Sequence, residues 1–377
     1  MTNPFFPEIH GKFGLGCMRF PKIGEEIDKE QVCRMVDTFL EAGFNYFDTA
    51  HGYHSGLSEP VLKECLTSRY PRDRYLLTDK LTDVYFKTEA EIRPLFESQL
   101  AACGVEYFDF YLMHAQNGRN FEQFKECKAY ETAFALKAEG KIRHVGISFH
   151  DTAEVLDRIL TTYPEIEVVQ IQFNYVDYED AAVDSRRVYE TCVKHGKPVI
   201  VMEPIKGGTL INLPEEALKA CETVGRKPAE LALRFAAGFE NMTMVLSGMS
   251  SLEQVRENVS FMAEAKPLDR AEQAVIAGIR ESFRRLNLIP CTACRYCTDG
   301  CPMSIQIPDI FRCMNQMKQF NDWNQIRYYR QILTQDGHGK ASECLQCGLC
   351  ESICPQGLEI RDLLTQAAEM FEKKKED

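Results

Sequence analysis

FNYFDTAHGYHSGLSEP (44–60), RYLLTDK (74–80) and FDFYLMH (108–114) are the segments on which the fold is decided. Each begins or consists of a brief apolar run rich in β-formers, and each run closes on a polar side chain: Asp48, Lys80 and His114. A short continuous run of this kind is the signature of a strand buried on both faces, as in parallel sheets. Similar runs recur at GKFGLGC (11–17), RHVGIS (143–148), VVQIQF (168–173), PVIVME (198–203) and TMVLSG (243–248). Between them lie helix-like stretches, among them Lys29–Ala42, Glu89–Cys103, Phe121–Glu139, Thr152–Leu160 and Ala181–His195. Eight strands, each followed by a helical segment, predict an α/β architecture, either a (β/α)8 barrel or a doubly wound sheet.

The last ninety residues follow another rule. Cys291, Cys294, Cys297 and Cys301 precede Pro302, and Cys344, Cys347, Cys350 and Cys354 precede Pro355. Both copies read C-x2-C-x2-C-x3-C-P. Three cysteines at two-residue gaps wrap three corners of a cubane, and the fourth ligates the other cluster. The spacing therefore predicts two [4Fe-4S] clusters with crossed ligation: Cys291, Cys294, Cys297 and Cys354 for one, Cys344, Cys347, Cys350 and Cys301 for the other. Zinc sites more often pair their cysteines across a longer gap. Asp269–Asn287 reads as one more amphipathic helix, stopped by Pro290. The 42 residues between Cys301 and Cys344 exceed a minimal ferredoxin hairpin and look helical (IPDIFRCMNQMKQF, WNQIRYYRQILT). The division expected is 1–287 and 288–377, with the closing EKKKED a solvated charge run.

The 377 residues, 45% hydrophobic and 27% charged, suit a two-domain globular chain. A formal net charge of −12 argues against nucleic acid or an anionic membrane as partner. No leader pattern opens the sequence, and no apolar run approaches the ~18 residues of a membrane span. Eight of the sixteen cysteines lie outside the repeats, scattered singly, and read as reduced core thiols of a cytoplasmic protein.

In a barrel, catalytic groups stand at the C-terminal ends of strands and in the loops that follow. Asp48, Lys80 and His114 hold such positions on the second, third and fourth strands, and Tyr53 lies five residues beyond Asp48. Neighbouring strands bring the four toward one pocket. DTAHGY followed by SE, then a strand-end Lys and a strand-end LMH, resembles the aldo-keto reductase family over roughly residues 10–265. The resemblance implies a (β/α)8 TIM barrel, a nicotinamide cofactor, NAD(P)(H), and an Asp48, Tyr53, Lys80, His114 tetrad. The cysteine-rich tail resembles that of the subset fused to a small, mostly α-helical, two-cluster ferredoxin-like domain. Chemically, carbonyl reduction needs a proton donor beside the hydride acceptor. Tyr53 carries the hydroxyl, Lys80 is expected to lower its pKa from about 10, Asp48 to hold Lys80, and His114 to orient the substrate oxygen.

By the same resemblance, Ser148 and Gln170 face the nicotinamide amide, Glu257 and Asn258 the adenine, and Met18 and Lys206 the pyrophosphate path. The glycines after Lys206 let backbone approach a phosphate closely. The chain departs from the family at Met202, where a stacking tyrosine is common, and at Gly248 and Gln254, where a Lys and an Arg clamp a 2′-phosphate. Arg256 is a candidate substitute. Ala115 stands where a tryptophan commonly narrows the pocket. Both NADH and NADPH stay open.

The reading these features favour is an NAD(P)-dependent oxidoreductase acting on a small-molecule carbonyl or alcohol. The appended clusters then serve electron transfer to a redox protein partner, sensing or structure. Its rival is an iron–sulfur electron-transfer protein whose barrel is a docking or redox-sensing module.

Overall fold

The computed structural model describes residues 3–118, 120–179, 183–320, 324–335 and 337–372. Ala181 and Trp323, where two of the expected helices begin, lie outside them, as does all of EKKKED but Glu372.

Eight parallel strands form one closed barrel: β1 (Phe13–Gly16), β2 (Tyr46–Asp48), β3 (Leu76–Leu81), β4 (Phe108–Gln116), β5 (Ile142–Phe149), β6 (Val168–Gln172), β7 (Val199–Met202) and β8 (Met242–Ser247). Each strand pairs with its neighbours in sequence, and β8 pairs back onto β1 through Phe13↔Val245. That last pairing rules out the doubly wound sheet, whose edges stay open. A two-stranded hairpin, Lys22–Ile23 with Glu26–Ile27, lies outside the barrel sheet.

Side chains two residues apart on a strand share a face. Tyr46, Leu76, Phe110, Leu112, Val168, Ile200, Met244 and Leu246 belong to one buried cluster with Phe6 and Ile9. Continuing the same period toward the strand ends gives Asp48, Lys80, His114, Gln170, Gln172 and Met202. A ring of polar groups thus caps an apolar filling because of the strand period alone. The filling is tight. A Cβ on Gly146 of β5 would stand 2.5 Å from Val168 Cγ1 and 2.7 Å from Leu112 Cδ2.

The helices start where capping chemistry allows. Asp28 accepts from Gln31 N before Lys29–Glu41, a Thr88/Glu91 capping box opens Glu89–Cys103, and Ser251 accepts from Gln254 N before Leu252–Met262. Their apolar stripes supply Val32, Met35, Phe39, Phe96 and Leu100 to the buried set.

Two compact units emerge. The first takes the chain up to Glu179, Asp184–Pro204 and Ala232–Leu268, and holds all eight barrel strands. The second takes chiefly Ile205–Leu231 and the chain from Asp269 onward. The second unit is helical, with Arg270–Leu286, Ile307–Phe320 and Ile360–Phe371 its longest helices, and among its described residues there is no strand. Ile305, Ile307, Phe311, Met314, Tyr329, Leu364 and Phe371 lie in its core. Among the described residues no helix is long and apolar enough to cross a membrane.

The packing inside the barrel is testable. Gly146→Ala is expected to destabilise the fold by about 1–3 kcal/mol through overpacking. Gly278→Ala, on the helix Arg270–Leu286 with nothing within 4 Å of the added carbon, is expected to be neutral or to stabilise by up to about 1 kcal/mol. Urea unfolding of both variants makes the comparison; equal effects would contradict the filled interior.

Candidate active site and cysteine cavities

At the end of β3, Lys80 is fully buried, and its ammonium has three donors to place. Nζ lies 2.6 Å from Asp48 Oδ1, 2.6 Å from the Thr49 carbonyl and 3.3 Å from the Tyr53 hydroxyl. The ammonium sits 4.8 Å from the Tyr53 ring centroid. An ammonium only donates, so the phenol oxygen is the acceptor in its contact. The hydroxyl hydrogen of Tyr53 is therefore left for another acceptor. Asp48 Oδ2 is held from across the barrel by Gln170 Nε2 at 3.0 Å. The His114 ring stands 6.1 Å from that of Tyr53, nearly perpendicular, and its Nδ1 meets Thr82 Oγ1 at 2.7 Å. The four strand-end and loop residues singled out in the sequence thus stand in one place.

The electrostatics reverse one expectation. Burial, then the Asp48 carboxylate, pushes the Tyr53 phenol well above its ordinary value, and Glu203 adds to the rise. The Lys80 ammonium, paired with Asp48 at 2.6 Å, does not outweigh that rise. Tyr53 rests protonated. Burial, then the Lys80 charge, holds His114 well below its ordinary value, so this imidazole is neutral.

The remaining expected residues are more dispersed. Ser148 Oγ accepts from Ala115 N at 2.7 Å, Ala115 having a left-handed φ of 51°. Buried Asn258 donates to Ser247 Oγ at 3.3 Å, and Glu257 precedes it on Leu252–Met262. Met18 is partly exposed in the single turn Cys17–Arg19, whose Arg19 side chain lies against Gly248. Gln254 Oε1 accepts from Ser250 N at 2.7 Å, within the helix cap. Arg256 is exposed. Lys206 belongs to the second unit, buried, with Nζ donating to Gln356 Oε1 at 3.3 Å. The close backbone approach at the following glycine is to Thr292: a Cβ on Gly207 would stand 2.2 Å from the Thr292 oxygen.

Three groups escaped the sequence reading. Thr82, two residues past Lys80, is a strand-end polar residue and was findable by that rule. Gln172 is inward-facing at the end of β6. Its Oε1 lies 3.3 Å from His150 Nδ1, while its Nε2 is buried without a partner. Glu203 carried no signal beyond its place after β7.

In the second unit the two cysteine repeats fold alike. Ala293 and Arg295 in the first, Gln346 and Gly348 in the second, hold equivalent positions, and all four have positive φ. A short helix follows in each, Tyr296–Asp299 and Leu349–Ser352. Left-handed turns on alternate residues curl each loop, and the first three cysteines of each line one cavity. One cavity is lined by Cys291, Cys294, Cys297 and Cys354; another by Cys301, Cys344, Cys347 and Cys350. The fourth cysteine of each repeat thus lines the cavity of the other. Among the described residues no three His, Cys, Asp or Glu side chains converge closely enough to hold a single metal ion. Four cysteines lining one cavity suit a cubane, which spreads its ligands wider than one ion does.

Comparison with known proteins bears on both units. The Aldo/keto reductase family profile matches residues 12–281, well over half of the chain, and the 4Fe-4S dicluster domain profile matches residues 290–359. The NADH-specific methylglyoxal reductase of Escherichia coli is 25% identical over 302 residues, covering 67% of this chain and 89% of the relative. L-Galactose dehydrogenase of Arabidopsis thaliana is 24% identical over 297 residues, covering 72% and 91%. Among solved structures, the holo form of an aldo-keto reductase from Bacillus halodurans superposes with a TM-score of 0.59 at 26% identity, covering 72% of this chain and 92% of that one. An aldo-keto reductase from Klebsiella pneumoniae, solved with NADPH, gives 0.58 at 21% identity, covering 71% and 90%, and supports the fold alone.

The buried pair of Lys80 and Asp48 gives a stability prediction. Lys80→Met strands a buried carboxylate and is expected to cost about 3–5 kcal/mol. Adding Asp48→Asn is expected to restore a large part of the loss. Urea unfolding curves measure both; additive losses in the double variant would contradict the pairing.

Proposed function

The chain belongs to the aldo/keto reductase family, a family of oxidoreductases, and from that premise we propose that it interconverts an aldehyde or ketone and the corresponding alcohol at the mouth of its barrel. The observation that carries this reading is the contact of Lys80 Nζ with the Tyr53 hydroxyl, anchored by Asp48. Tyr53 gives its proton to the substrate oxygen in the reducing direction and takes it back in the oxidising one. Its resting protonation suits it to donate. Lys80, donating to the phenol oxygen, stabilises the negative charge that grows there as the proton leaves. His114, neutral and with Nδ1 engaged by Thr82, has Nε2 left to hydrogen-bond the substrate oxygen and orient the carbonyl.

A bound nicotinamide dinucleotide, NAD(P)(H), would supply the hydride. The unpartnered buried Nε2 of Gln172, on the inward face of β6 near the barrel mouth, fits a polar ligand group there. We assign Ser148 and Gln170 to the nicotinamide amide, with Gln170 also steadying Asp48. Met18 is assigned to the pyrophosphate path, and Glu257 and Asn258 to the adenine.

We assign the barrel to 1–287 and a two-cluster domain to 288–377, the cysteine sets being those that line the two cavities. The clusters supply one-electron transfer when bound, so they serve a step other than the hydride transfer. Cys347 is exposed, and Leu345 and Leu349 beside it are 61% and 53% exposed. An exposed ligand amid apolar surface favours a port to a redox protein. The rival reading, in which the barrel only docks partners, assigns no work to Tyr53.

Two outcomes are expected. Tyr53→Phe loses about 10²–10⁴-fold in nicotinamide-dependent carbonyl turnover, with the far-ultraviolet spectrum unchanged. Retained turnover favours the docking alternative. In the native enzyme the reductive rate varies less than about twofold from pH 6 to 9. The raised Tyr53 pKa keeps the donor protonated above this window, and the lowered His114 pKa keeps that ring neutral throughout it. A phenol acidified by Lys80 would instead lose reductive rate as pH rises. Separately, anaerobically prepared protein is expected to carry about eight irons and eight sulfides, and Cys347→Ser to lose about half of them.

A further inference from the structure

The two cavities in the second unit are lined differently. That of Cys301, Cys344, Cys347 and Cys350 is completed by apolar side chains and Gly348. That of Cys291, Cys294, Cys297 and Cys354 also receives Thr292, Arg295, whose guanidinium is paired with Asp309 at 2.8 Å, and the amide of Gln356. Gln356 is 3% exposed; its Oε1 accepts from Lys206 Nζ at 3.3 Å, and its Nε2 is buried with no partner. Lys206 is 1% exposed. The turn that carries it is seated on the first cysteine loop, because Gly207, at φ +62°, leaves no room for a Cβ against the Thr292 carbonyl.

A buried amide N–H without an acceptor costs about 1–3 kcal/mol, and an amide in this place has a natural acceptor in the sulfur of a cluster. The ammonium fixes which end of the amide is which. By holding Oε1 it turns Nε2 away from itself. Both groups act in the same direction on a cluster at that site. A hydrogen bond to sulfur and a nearby buried cation each favour the added electron, and net charge and hydrogen bonding to sulfur are what set cluster potentials.

We propose that Lys206 and Gln356 make the two clusters inequivalent, raising the reduction potential of the one held by Cys291, Cys294, Cys297 and Cys354. That cluster fills first when a one-electron reductant is added. Lys206 is then a positioning and charging residue for the cluster, a role distinct from the phosphate contact that the sequence led one to expect of it. The inference rests on the two-cluster reading.

The test is a dithionite titration of full-length, iron-replete protein with mediators, followed by electron paramagnetic resonance. Iron and sulfide are assayed on every sample, and Cys347→Ser marks the other cluster's signal. The native protein is expected to show two separated midpoints. Gln356→Leu and Lys206→Met each change the reduced-to-oxidised ratio of the first cluster at least tenfold toward oxidised, a fall of 59 mV or more for one electron. Each leaves the second cluster unmoved. Lys206→Arg keeps most of the native value, as a merely structural role for the turn would not require of the potential. The inference is overturned if neither variant moves the first cluster, or if both clusters move together. It is also overturned if Gln356→Leu loses iron while iron-replete Lys206→Met is unshifted. A native protein without two clusters sinks the two-cluster reading as well, and the iron assay tells the two failures apart.

Discussion

A single buried ion pair organises the mouth of the barrel. Lys80 lies wholly inside, 2.6 Å from Asp48, and an ammonium there would cost several kcal/mol without a partner. The partner is at hand only because β2 and β3 run parallel with Asp48 opposite Thr78, which puts Lys80 one inward position further on. The carboxylate is held in turn by Gln170, 122 positions away in sequence. The neighbouring phenol answers to burial and to the Asp48 carboxylate and stays protonated, while burial and the Lys80 charge keep His114 neutral.

The apolar layers beneath the pair come from the same alternation. Gly14 and Gly146 sit where Leu246, Met244, Val168 and Leu112 crowd the axis, so the interior is full and the polar ring is pressed toward the open end. The polar end of the barrel and its apolar filling therefore share strands.

The cysteine loops achieve their shape differently, through backbone conformation. Alternate residues in left-handed φ turn each repeat around a centre, and each repeat gives its last cysteine to the other cavity. Two nearly equal loops then become unequal through what reaches them from elsewhere in the unit. Only the first receives an amide steadied by a buried lysine.

The eight strands were legible in the sequence because strands buried on both faces are continuous apolar runs. Asp48, Lys80 and His114 were legible as the polar residues ending three of those runs, and the cysteine sets because cluster ligation imposes local spacing. Whether the alternating units closed on themselves was not legible, since alternation is the same in an open sheet; the pairing of β8 with β1 decided it. The protonation of Tyr53 depends on its burial and on its distances to Asp48 and Glu203, which no local pattern encodes. Lys206 looked from its loop like a phosphate ligand alone, yet its side chain is held by Gln356, 150 residues further along the chain. Sequence by itself determined which residues stand at the strand ends and in the cysteine repeats, because periodicity and spacing are local. Tertiary structure alone decided their charge states and partners, because both are set by groups that only folding brings within a few ångströms.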